Sequence, residues 1–294
     1  MRSGQQPENP PPPAAPRLWV CPSCGWEVRS PFCPGCGERP LEPGELTVHG
    51  LLGQLMRIFT NIDGRVIYSF RCLVNRPGLL TLAFLNGQRQ PYLGPFQLFI
   101  LANLLFFALQ SFLSEFRIFS TLLELHIRNQ PGSELARILV QQHLSAAGLS
   151  LEAYAPVYNQ AVSVNAKSLI GLMVLPFSLF PPLVFWRTTH PFAVHVVFSL
   201  HFYAFMLLLF CVPLAALTID DTLGGTGTLT QRADDVLSVA LLLTCGAYLF
   251  VASSRVYAAR GFAHALQTVV LTVAVVGIFL LYRFTLLPIT LYTT

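Results

Sequence analysis

The chain has 294 residues, 53% of them hydrophobic and only 11% charged, with a net charge of +4 and a mean hydropathy of +0.58. Soluble domains carry about 25% charged residues, so this composition excludes an ordinary water-soluble globule and points to an integral membrane protein. Its single lysine, Lys167, leaves nearly all positive charge to arginine, and nothing in that pattern calls for a nucleic-acid partner.

Residues 1–18 contain a proline-rich run and no signal-peptide apolar core, so they are expected to form an extended, disordered tether. Residues 19–40 follow as WVCPSCGWEVRSPFCPGCGERP, in which Cys21-x2-Cys24 and Cys33-x2-Cys36 are two C-P-x-C-G knuckles. The proline stiffens each turn and the glycine lets backbone amides fold toward sulfur, so four thiolates can meet around Zn²⁺ at about 2.3 Å. So short a segment cannot bury a core of its own, and metal binding would supply most of its folding energy. Two disulfides in an oxidising compartment are the alternative. Iron fits the same sulfurs, but the eight-residue gap between the pairs is shorter than rubredoxin-like domains use. Four cysteine ligands leave no open position, so the expected zinc is structural.

Residues 41–95 read as amphipathic interfacial helices. Val48, Leu51, Leu52, Leu55, Met56 and Phe59 fall at helical spacing, and Val66, Ile67, Phe70, Leu73 and Val74 repeat the theme beside Arg65 and Arg71. They can lie on the membrane surface or pack on the bundle, and the pattern does not choose. Residues 78–85 are too short to cross and suit an interfacial or re-entrant piece.

Residues 96–294 read as a transmembrane bundle. Five spans are expected, near 96–113, 169–186, 192–217, 236–254 and 262–282, with a helical extracytoplasmic loop over 114–168. Pro176, Pro181, Pro182 and Pro213 should kink or interrupt their helices. The apolar tail after Arg283 either extends the last span or lies at the surface. With the N-terminus in the cytosol, twelve Lys and Arg lie on that side and five on the other, so the ribbon is expected inside and the C-terminus outside. The fold class is thus an all-α integral membrane helical bundle of about five spans with a small N-terminal four-cysteine zinc ribbon.

Arg76-Pro77-Gly78, Gly87-x-Arg89, Tyr92 and Pro95, behind a four-cysteine ribbon and ahead of a Phe-rich span, resemble family 3667 among the bacterial domains of unknown function. The resemblance covers mainly residues 20–113. It implies a bacterial inner-membrane, multi-pass protein with a zinc ribbon and no assigned reaction.

Three groups of residues merit a functional test. Cys21, Cys24, Cys33 and Cys36 are the metal ligands. Arg65, Arg71, Arg76 and Arg89, with Tyr92, form a candidate anionic-lipid or family-motif surface, although positive-inside topology alone would put arginine there. His195, His201 and His264 are candidate intramembrane polar residues. His195 and His201 lie about 120° apart around one helix, so hydrogen-bonded histidines are the simpler reading. Asp220, Asp221, Asp234 and Asp235 crowd one outer loop as solvated charge. No phosphate loop, nucleophile elbow or metalloprotease motif occurs, so no catalytic residue is nominated.

The composition therefore favours a non-enzymatic membrane module embedded in the lipid bilayer, its ribbon docking an unknown protein partner; an oligomer is compatible with it. A transporter or channel for a small solute or lipid, with Gln97, Asn103 and Gln110 along a path, is the alternative. A lipid-modifying enzyme using the arginine surface is a third reading.

Overall fold

The computed structural model describes residues 18–40, 64–111, 119–128, 132–223 and 231–294. The expected tether over 1–18, apart from its last residue, and the apolar stripe over 45–60 lie outside them. Two short antiparallel strands, β1 (Trp19–Val20) and β2 (Glu27–Val28), pair Trp19 with Val28 and Val20 with Glu27. Next come α1 (Arg65–Asn75), α2 (Leu79–Leu85) and α3 (Pro95–Gln110), then the outer helices α4 (Leu123–Arg128) and α5 (Ser133–Ala147). The helix α6 (Leu151–Leu169) leads through a 3₁₀ turn (Ile170–Met173) into α7 (Val174–Ser178) and α8 (Phe180–Val184). Three long helices close the chain, α9 (Phe192–Thr222), α10 (Gln231–Val256) and α11 (Gly261–Thr293).

Those three helices are long and apolar enough to cross a membrane. A fourth crossing is added if α6 and the 170–184 segment are one span bent by 57°. Among the described residues this gives three or four candidate spans where five are expected, and two stretches account for the difference. The helix α3 has 16 residues, about 24 Å at 1.5 Å per residue, and falls short of a hydrocarbon core of about 30 Å. It ends at Gln110, where the Ser111 hydroxyl turns back onto the Ala108 carbonyl at 2.6 Å. The 169–186 stretch is broken into pieces because Pro176, Pro181 and Pro182 have no N–H to donate. Polar side chains on α11 bond carbonyls at its far end and in α6 ahead of it: Gln267 Nε2 donates to Val184 O at 3.0 Å and Tyr282 OH to Ala166 O at 2.7 Å. Irregular backbone at membrane depth needs such partners.

The post of the bundle is α9, mostly apolar and buried continuously over Ala193–Leu207. It packs against α3, α7, α2 and α10, with Val194, Val197, Phe202 and Leu207 wholly enclosed. Phe119 is ringed by Phe106, Phe210, Phe279 and Tyr282 at centroid distances of 5.3 to 6.4 Å. The tail beyond Arg283 is helical to Thr293, so α11 runs about 50 Å and outreaches the hydrocarbon core. Its end holds α6: Asn165 Nδ2 donates to Thr290 and Thr293 Oγ1 at 3.1 and 3.2 Å.

Candidate metal centre

Both knuckles are built alike. Cys21 N–H donates to Trp26 O and Gly25 N–H to Cys21 O, each at 2.8 Å; Cys33 N–H donates to Glu38 O at 2.6 Å and Gly37 N–H to Cys33 O at 2.8 Å. Each turn closes on a glycine in the left-handed region, Gly25 at φ +76° and Gly37 at φ +75°, which a side chain would disfavour.

The turns aim four sulfurs at one point. Cys21 and Cys36 Sγ are 3.5 Å apart, Cys24 and Cys33 3.4 Å, Cys24 and Cys36 3.7 Å, and all four lie within 4.8 Å of one another. A tetrahedron with 2.3 Å metal–sulfur bonds has edges of about 3.8 Å, whereas bonded sulfurs sit about 2.05 Å apart. The four fit a shared cation rather than two bonded pairs.

Thiol acidity agrees. Burial opposes ionisation of Cys33, yet the Cys36 amide, the Cys24 sulfur and the Gly35 amide outweigh it and bring its thiol down to about 7. At Cys36 the Glu38 amide favours a thiolate, but burial and the three neighbouring sulfurs push the thiol up to about 12. A cation held between the sulfurs would favour their thiolate forms. Among the described residues this is the one cluster of three or more metal-ligating side chains.

The ribbon is seated on the membrane part of the chain. Glu38 is buried, and its Oε2 accepts from the backbone N–H of Arg89 and of Gln90, both at 3.0 Å, and from Ser23 Oγ at 2.8 Å. Gln88 Nε2 donates to Pro22 O at 2.7 Å, and Ser23 Oγ also reaches Gln90 O at 3.3 Å. The seat is thus the Asn86–Pro91 loop between α2 and α3. Sequence reading missed Glu38, Ser23 and Gln88, because backbone amides that receive a carboxylate leave no residue-type signature.

Residues 63–107 match the family described as Protein of unknown function (DUF3667). The resemblance carried by Arg76-Pro77-Gly78 and Gly87-x-Arg89 is thereby supported for that segment. The DUF3667 match spans α1, α2, most of α3 and the loop that receives the ribbon, and excludes the ribbon and the three long helices. No curated protein and no solved structure matches the chain.

Arg71 and Arg76 are exposed, while Arg65 and Arg89 are half-buried. Tyr92 stacks on Tyr68 with ring centroids 5.7 Å apart, and burial followed by Tyr68 pushes its phenol up while Arg76 pulls it down. The three histidines each meet a different hydroxyl: His195 Nδ1 and Tyr257 OH at 2.9 Å, His201 Nδ1 and Thr81 Oγ1 at 2.8 Å, His264 Nε2 and Ser253 Oγ at 2.9 Å. They tie neighbouring elements together one bond at a time. Gln97, a candidate path residue, caps its own helix by accepting from Gly94 N–H at 3.1 Å.

Proposed function

We propose that this protein is a non-enzymatic module of the bacterial inner membrane, with its ribbon in the cytosol holding a structural Zn²⁺ and docking a protein partner. The observation that carries the reading is the Glu38 clamp. A small metal-stiffened knob fixed by a buried carboxylate to the loop ahead of α3 makes a rigid recognition element rather than a free arm. Its outer side offers Val20, Trp26 and Phe32, each about 60% exposed. Aromatic side chains are the usual anchors of protein interfaces, and nothing in the described part of this chain covers these.

Zinc suits the site because it accepts four thiolates in a tetrahedron and has no redox chemistry to run there. The closed ligand set gives the metal a folding role. Partner capture tests the function: full-length protein cross-linked in its native membrane should hold a protein that Trp26→Ala with Phe32→Ala loses, with zinc content unchanged. An identical set of cross-linked proteins in the double variant would end the reading.

A second reading, a transporter for a solute or lipid, draws on the proline-broken segment 170–184 beside α9 and α11. Discontinuous helices commonly flank transport sites. Solute or lipid flux in vesicles reconstituted with the full chain separates it from the first.

A further inference from the structure

A cleft of about 500 Å³ opens between α9, α10 and α11, far from the ribbon. That volume lies within the range of small-ligand sites. Met206, Phe210, Leu241, Val275 and Phe279 supply apolar wall, and two opposite charges, Asp234 and Arg283, also line it. Pro213 borders it as well; having no N–H, it leaves the Leu209 carbonyl one turn back without its helix partner.

The charges share one level. Asp234 lies 22 residues from Val256 at the other end of α10, and Arg283 lies 22 residues from Gly261 at the start of the antiparallel α11. At 1.5 Å per residue each stands about 33 Å from the far end, close to the thickness of a hydrocarbon core. The charges therefore sit where headgroups lie, and the apolar wall lies among acyl chains.

Arg283 gives its Nε–H to Thr121 Oγ1 at 2.8 Å and lies 5.7 Å from the Phe279 ring centroid, and among the described residues no hydrogen bond occupies its two Nη groups, which can meet a ligand. Asp234 and Arg283 make no ion pair with each other. A polar solute would find few partners on these walls. A helix from a second copy would fill the apolar space but leave both charges unmatched. A zwitterion with a hydrocarbon tail matches all three features.

We propose that this cleft holds one phospholipid with an amino headgroup, its acyl chain against the apolar wall, its phosphate on Arg283 and its ammonium on Asp234. The site is independent of the ribbon and of any partner docked there. Delipidated full-length protein in detergent, titrated with phosphatidylethanolamine or phosphatidylglycerol and read by native mass spectrometry, should retain one lipid. It should prefer the ethanolamine headgroup by about fivefold, the yield of one partly solvated ion pair. Ser238→Trp, from an exposed position one turn along α10 from Asp234, should fill the cleft and remove the lipid without lowering the melting temperature. Leu242→Trp repeats the block from the next turn. Asp234→Asn should keep the lipid and erase the headgroup preference. Unchanged retention in both tryptophan variants, equal binding of the two headgroups by the wild type, or a second copy cross-linked into the cleft would overturn the proposal.

Discussion

Gly78 ends the Arg76-Pro77-Gly78 turn at φ +80°, with Ala252 of α10 pressed against it: a Cβ there would meet Ala252 O at 2.7 Å and Ala252 Cα at 2.9 Å. Arg255 Nη1 holds the same turn by donating to Pro77 O at 2.8 Å. A side chain faces both the left-handed penalty and a backbone clash that cannot rotate away. Gly78→Ala should therefore cost about 2–4 kcal/mol, read as a lowered melting temperature in detergent. The motif that suggested the family is, at this residue, a packing requirement. His126 presents a second residue-scale case. It is buried on α4 against Tyr158, with Arg283 nearby; burial first and that guanidinium second bring its imidazole from 6.5 down to about 4. The unfolded chain binds the proton more tightly, so stability is complete above about pH 6.5 and falls as pH drops toward 4. The expected slope is at most about 1.4 kcal/mol per pH unit, and His126→Gln should flatten it in melting curves taken at pH 7 and pH 4.5.

At the scale of elements, the short helix α2 is held by polar contacts at both ends of its packing. Thr81 Oγ1 and His201 Nδ1 form a buried bond to α9 at 2.8 Å. Thr81→Val preserves shape but leaves the imidazole unpartnered, which should cost about 1–3 kcal/mol in the same melting assay. On the other side of the turn after α2, Glu38 holds the ribbon through two backbone amides. Glu38→Ala should leave zinc content at one equivalent and speed proteolytic release of the ribbon, since it removes the seat and spares the sulfurs. A variant that lost zinc in proportion to ribbon release would show that seat and metal fold as one unit instead. The α6–α8 segment illustrates the limit of reading spans from composition. Its apolar length was legible, but three prolines lie in it, and only tertiary structure shows that α11's Gln267 and Tyr282 hold it through Val184 O and Ala166 O.

For the whole molecule, charge asymmetry predicts which side of the bundle is cytosolic. Impermeant thiol labelling of intact cells should modify Gln142→Cys, on exposed α5, and spare Arg187→Cys, in the turn before α9, until the membrane is opened. The reverse pattern would invert the topology. The four-cysteine cluster and the three long apolar helices could be read from the sequence alone, because ligand spacing and unbroken apolar length are local properties that each segment carries within itself. The ribbon's seat on Asn86–Pro91, the separate hydroxyl partners of His195, His201 and His264, and the placing of Asp234 and Arg283 on one cleft were decided only by tertiary structure. Each joins residues far apart in the chain, often through backbone groups that every sequence possesses.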